Sequence, residues 1–227
     1  MRGRLPRRTR WLACLLAVAL AVAPLPAARA QSTEPLSAPE AARLGHGETI
    51  ERTQDVDRDR KHYVGGVTYT IVEATPSELE TIFYDVSAYQ TILPHTLSAR
   101  LFARIDDDLF VEVRQGNALV QGSYTIRLRR SADHREVRFW LDRERPHDIE
   151  DAWGFFRVEP LASLTPGVPR TLVTYGILLD IGPGIVRALF ESKIRDAMLS
   201  VPQRLRSYVW KYVRPARPQP VATRALP

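Results

Sequence analysis

The chain has 227 residues, with 32 basic and 26 acidic side chains and a single cysteine. Six arginines (Arg2, Arg4, Arg7, Arg8, Arg10, Arg29) lie in the first 30 residues, where there is no acid, so the net charge of +6 belongs to that segment. The rest is neutral overall and carries no nucleic-acid recognition motif, which argues against a nucleic-acid partner. In chain order, the arginines are followed by an apolar run from Trp11 to Ala23, then Pro24, Pro26 and Ala28-Arg29-Ala30. A charged start, an apolar stretch short for a membrane span and an A-x-A site predict a cleaved export signal of bacterial type over 1–30. The mature chain is expected to begin at Gln31 and to be periplasmic or secreted; an uncleaved N-terminal membrane anchor is the alternative. Cys14 leaves with the signal, so the mature chain has no disulfide, thiol nucleophile or cysteine metal ligand.

Residues 31–61 are polar, rich in charge and poor in large apolar side chains, and are expected to form a flexible leader. The folded domain is expected over 62–213. Its first strand runs from Val64 to Glu73, where Val67, Tyr69 and Ile71 alternate with Thr68, Thr70 and Val72. Thr75-Pro76-Ser77-Glu78 is a capping box with proline at the first helical position, opening a helix through Leu79, Ile82, Phe83 and Val86. A second short helical segment, Ser87 to Leu93, stops at Pro94. Six further strands follow: Leu97–Ile105, Leu109–Gln115, Val120–Arg129, His134–Arg143, Trp153–Leu161 and Arg170–Ile181. The period of two is clearest where Val120, Gly122, Tyr124, Ile126 and Leu128 alternate with polar residues, which predicts a sheet with one wet face.

After Gly182-Pro183-Gly184, a helical pattern runs from Ile185 to Val213 with an apolar stripe through Phe190, Ile194, Ala197, Val201, Leu205 and Tyr208. Pro202 predicts a kink or break near Ser200. Residues 214–227 read as a Pro/Arg-rich tail. The fold class is therefore α+β: an antiparallel sheet of about seven strands, two short helices after the first strand, and a long C-terminal helix across the apolar face.

That order resembles the SRPBCC superfamily of START-like, helix-grip proteins, which includes polyketide cyclase and coenzyme Q-binding types. The resemblance is carried by Ala74-Thr75-Pro76-Ser77-Glu78, by Asp85-Val86-Ser87-Ala88-Tyr89 followed by Leu93-Pro94, by Trp153 to Pro160, and by Arg170 to Tyr175 running on to Gly184. Pro202 departs from the family's pattern. The resemblance implies a sheet curled around the last helix, an apolar cavity between them, and a lipid, isoprenoid or polyketide-like ligand. The expected lining is Tyr69, Tyr124, Phe139, Tyr175 and Ile177 from the sheet and Phe190, Ile194, Ala197 and Val201 from the helix. Tyrosine hydroxyls would fix orientation in a mostly apolar site.

Three functions remain open at this point: a binding or carrier protein without covalent chemistry, a cyclase or dehydratase-type enzyme using the same cavity, and a protein-interaction module with a filled cavity. The enzyme reading would use His95, beside Pro94, or a buried acid beside the same cavity as general acid or base. No histidine pair has metal-ligand spacing, and neither a G-x-S-x-G elbow nor a phosphate loop is present, so no metal or cofactor is expected. Asp148, Glu150 and Asp151 read as a solvated acidic loop. From Ile181 onward nine Lys and Arg face only Glu191 and Asp196. That is either the wet side of an amphipathic helix or a surface for anionic membrane lipid, with Tyr208, Trp210 and Tyr212 at its basic end.

Overall fold

Asp59 and Arg60 both take left-handed backbone, φ 53° and 66°, and this two-residue turn joins β1 (Ile50–Arg58) to β2 (Lys61–Val72). Positive φ at both central positions matches the right-handed twist of the flanking strands, so a hairpin forms without glycine. The computed structural model describes residues 34–118 and 120–216. The expected export signal and cleavage site, and residues 217–227 of the expected tail, lie outside the described residues.

Six more strands follow: β3 (Thr96–Ile105), β4 (Asp108–Gly116), β5 (Gln121–Arg130), β6 (Glu136–Leu141), β7 (Asp151–Leu161) and β8 (Arg170–Asp180). All eight join one antiparallel sheet in the order β1-β2-β8-β7-β6-β5-β4-β3. Five α-helices accompany it among the described residues: α1 (Ala38–Gly45), α2 (Pro76–Tyr84), α3 (Tyr89–Ile92), α4 (Ile185–Leu199) and α5 (Val201–Tyr208). The capping box forms as expected. Thr75 Oγ1 accepts from the Glu78 amide at 3.2 Å, and the Glu78 carboxylate accepts from the Thr75 amide at 2.7 Å.

The expectation of a flexible leader over 31–61 is corrected. Those residues hold α1 and β1, and β1 is the eighth strand. Their apolar residues are few, but Leu44 and Ile50 bury with Val67 and Tyr69 on the outer face of β2, flanked by Leu36 and Leu172. The Arg52 guanidinium ties this layer together. It donates to both Glu40 oxygens, at 3.0 and 2.6 Å, and to the Glu34 and Pro35 carbonyls. Composition undervalued the segment because a backbone ladder to β2 supplies much of what side chains do not.

The break expected near Ser200 is present. α4 ends at Leu199, α5 starts at Val201, and a π-helical turn over Val209–Val213 follows. The tail begins later than expected: Arg214–Ala216 form a 3₁₀ turn, and Arg214 pairs with Glu73 at 2.8 Å. Contacts place both α4 and α5 against β2, on the inner face of the sheet.

Candidate ligand-binding site

The inner face is built by strand alternation, since residues two apart share a side. It carries Val111 and Val113 of β4, Leu128 of β5, Phe139 of β6, Phe156 and Val158 of β7, and Val173, Tyr175 and Ile177 of β8. α2 brings Leu79 and Phe83 to it, and α5 brings Val201 and Leu205. Four rings meet at the centre. Phe83 stacks on Phe156 at 4.3 Å, Phe156 meets Tyr175 at 4.6 Å, and Tyr175 lies 6.1 Å from Phe139. Gly154 makes room for the last of these: a Cβ there would sit 2.4 Å from the Phe139 ring and 2.2 Å from the Gly176 carbonyl oxygen.

Two tyrosines add phenol hydroxyls to this face. Burial pushes the Tyr175 phenol far above its ordinary pKa, with neighbouring Tyr124 adding to it, and burial does the same to Tyr124. Both stay neutral and can donate hydrogen bonds without acting as bases. The Tyr124 hydroxyl donates to Gln115 Oε1, and Gln115 Nε2 donates to the Pro94 carbonyl at 2.8 Å and to Thr96 Oγ1 at 3.3 Å. Tyr175 is 2% exposed, and among the described residues no hydrogen bond reaches its hydroxyl.

The buried carboxylates lie on the opposite, outer face. Asp108 takes Arg129 at 2.6 Å and also Arg127. Asp151 accepts from Tyr63 Oη at 2.6 Å and from Lys61 at 3.1 Å, and it pairs with Arg143. Reading Asp151 as part of a solvated acidic loop is therefore corrected: it is buried, and the hydrogen bonds from Tyr63, Lys61 and Arg143 outweigh the opposing effect of burial and hold its pKa low.

The expected lining residues separate into groups. Phe139, Tyr175, Ile177 and Val201 lie together in the core, and Tyr124 packs at its edge. Ile194 meets a smaller cluster of Leu141, Ala152 and Leu179, which Tyr124 and Met198 also touch. Phe190 and Ala197 on α4 are half-buried and belong to neither cluster. Tyr69 is a correction. It points to the outer face under α1, where its hydroxyl donates to the Glu34 carbonyl at 3.3 Å. On β2 it is Thr68, Thr70 and Val72 that turn inward, all buried, while on the other side Val67 and Tyr69 are buried and Ile71 partly so.

His95, the general acid/base candidate, is exposed with φ 54°, and its carbonyl accepts from the Gly116 amide at 2.9 Å. No ion pair or hydrogen bond engages its ring among the described residues. Among those residues no three metal-ligating side chains cluster, and no helix is long and apolar enough to cross a membrane. Sequence reasoning left out Phe83, Gly154, Phe156 and Gln115. The signal for Phe83 was its place four residues after Leu79. For Phe156 it was its even parity with Gly154.

Comparison with solved structures bears on the architecture. A STAR-related lipid transfer protein from Xanthomonas axonopodis superposes with a TM-score of 0.58 at 14% identity, over 72% of this chain and 94% of that one. The chain has a START-like, helix-grip fold. A START superfamily protein from Mycobacterium smegmatis gives 0.52 at 15% identity over 64% of this chain and 96% of that one. A protein from Thermus thermophilus gives 0.50 at 14% identity over 63% and 95%. No protein-family model matches the sequence, and no curated protein matches it. In the helix-grip frame, α4 and α5 are the gripped element and the inner face of β4 to β8 is the grip.

Proposed function

We propose that the chain is an exported carrier for an apolar small molecule of the lipid, isoprenoid or polyketide type, held between the inner face of the sheet and α4. The observation that carries this reading is Tyr175: a neutral hydroxyl, on a residue 2% exposed, inside an apolar face and without a hydrogen-bond partner among the described residues. A hydroxyl with no protein partner on an apolar face is free to hold the single oxygen of a ligand whose hydrocarbon body covers the rest of that face. The name of the Xanthomonas neighbour, a lipid transfer protein, supports the same class of ligand.

Binding without turnover is favoured over the cyclase or dehydratase alternative. The inner-face phenols are held neutral by burial, and His95 is exposed with an unengaged ring. The stacked rings of Phe83, Phe156 and Tyr175 favour a second reading, an interaction module whose core is filled on the α2 side. Export rests on the N-terminal sequence, and the basic end of the C-terminal helix is the face that meets an anionic membrane. Native mass spectrometry of protein recovered from its own exported pool tests the carrier reading. A retained apolar molecule on a chain starting at Gln31 is expected; a clean apo mass, with no binding of a fluorescent fatty-acid or isoprenoid probe, favours the interaction module.

A further inference from the structure

A groove of about 480 Å³ opens on the outside of the molecule between α3 and the α5 end of the C-terminal helix. It is separate from the inner face. Its walls include Thr91 of α3 and Gln203, Arg204, Tyr208, Lys211 and Tyr212 of the C-terminal segment. The core side of that segment is Val201, Leu205 and Val209, all buried, and the groove uses the flank beside it, where Tyr208 also packs against the core.

Two of its walls are cations without counter-ions among the described residues. Elsewhere in the segment Arg195 pairs with Asp55 at 2.7 Å, Arg206 donates to the Gly47 carbonyl at 2.8 Å, and Arg214 pairs with Glu73. Among the described residues Arg204 and Lys211 make no ion pair. The Lys211 ammonium sits 5.0 Å over the Tyr212 ring, and the Tyr208 and Tyr212 rings lie 4.9 Å apart. Asp85 is an acid whose charge acts on Tyr208, and its carboxylate already accepts from the Ser87 amide at 3.0 Å and hydroxyl at 2.6 Å.

Arg204 and Lys211 are seven residues apart, two turns or roughly 10 Å of axis, and both side chains are long enough to converge over Tyr208. The π-helical turn, with the Arg214 amide bonded to the Val209 carbonyl, widens the helix where Lys211 and Tyr212 form the lip. Such turns are rare and recur at functional sites. Beside the lip Trp210 is 63% exposed and Tyr212 49%. Aromatic rings with one polar end suit the level of lipid headgroups.

We propose that this groove seats the phosphodiester headgroup of an anionic phospholipid at a membrane surface, with Arg204 and Lys211 neutralising the phosphate and Thr91 and Gln203 donating to its oxygens. The proposal rests on the reading of the chain as a carrier that meets a membrane. It is tested with the full chain and vesicles of phosphatidylcholine, with and without phosphatidylglycerol. Each basic residue at an anionic surface contributes roughly fivefold in affinity, so R204Q/K211Q should lose about 30-fold on phosphatidylglycerol vesicles. Binding to pure phosphatidylcholine should not change, and R138Q, on the outer face of the sheet, should leave both unchanged. A double variant within twofold of the parent overturns the proposal, as does an equal loss in R138Q, which would assign binding to overall charge. Binding of inorganic phosphate that the double variant loses, with no gain in vesicle binding from phosphatidylglycerol, also overturns it, in favour of a free phosphate site. Apolar-probe binding without vesicles is measured alongside. Failure of the parent there removes the carrier reading, whereas failure confined to the vesicle arm removes only the groove.

Discussion

The Thr68 hydroxyl on β2 donates to the Leu199 carbonyl at the end of α4 at 3.0 Å, and both residues are fully buried. Pro202 has no N–H to offer Met198, and the helical ladder resumes two residues later, with the Arg204 amide on the Ser200 carbonyl at 3.1 Å. The sheet thus supplies a donor at the point where the helix loses its own. That couples the break in the gripped helix to one polar residue on the inner face of β2.

Thr68→Val should leave the Leu199 carbonyl buried and unpaired, at a cost of about 1–3 kcal/mol. For a domain of this size that lowers Tm by roughly 2–10 °C. Thr68→Ser keeps the donor and should stay close to the parent. Thermal melts of the three proteins decide it, and a valine variant as stable as the parent would show that the bond contributes nothing.

The break itself was legible, because proline in a helical stripe has one consequence whatever surrounds it. So were the Thr75 capping box and the seven strands from β2 to β8, whose alternation and turn residues are local signals. The placement of Tyr69 was not. Alternation says which residues share a side, and it identifies the inner side only when the other is wet. On β2 both sides are buried, one under α1 and one under α4 and α5, so the larger side chains of Val67, Tyr69 and Ile71 pointed the wrong way. β1 and α1 were missed for a related reason. Leu44 and Ile50 are too sparse to register as a pattern and matter only because the outer face of β2 awaits them.

Gly154 is a second test of packing. An alanine Cβ would meet the Phe139 ring and the Gly176 carbonyl at distances that real contacts do not show. Gly154→Ala should therefore destabilise by at least about 2 kcal/mol through overpacking. Adding Phe139→Leu should recover part of the loss by withdrawing the ring, leaving the backbone contact. Denaturant titrations of the single and double variants form the cycle, and strict additivity would contradict the geometry.

The α1 latch should depend on pH. Hydrogen bonds from Arg52 and Ser37 lower the Glu40 carboxyl from 4.5 to about 2 in the fold. A carboxylate with a depressed folded-state pKa stabilises fully above its unfolded value, and the stabilisation fades as pH falls through the folded one. Amide-exchange protection of α1 should therefore decline between about pH 4.5 and pH 2. Glu40→Gln should start lower and show no such decline. A parent whose α1 protection is flat across that window would refute the latch.

His95→Ala should leave probe binding within about twofold of the parent, because the ring is exposed and engages nothing. If a turnover assay is found and that substitution removes a hundredfold or more of the rate, general acid/base catalysis by His95 becomes the better account.

Tyr175→Phe separates a ligand-binding hydroxyl from a structural one by the signs of two effects. In the apo protein the hydroxyl has no partner among the described residues, so removing it breaks no protein hydrogen bond and Tm should hold. The ring remains, and with it the contacts to Phe156 and Phe139. For a ligand carrying a carbonyl or hydroxyl, the lost hydrogen bond should weaken binding by about 1–1.5 kcal/mol, roughly 5- to 13-fold. A pure hydrocarbon probe of similar size should bind the variant as well as the parent, because it never used the hydroxyl. Stability unchanged, with affinity lowered only for the oxygenated probe, is the signature of a site. A Tm several degrees lower, with both probes affected alike, would mean that the hydroxyl holds the core together, and the Tyr175 argument for a carrier would fall.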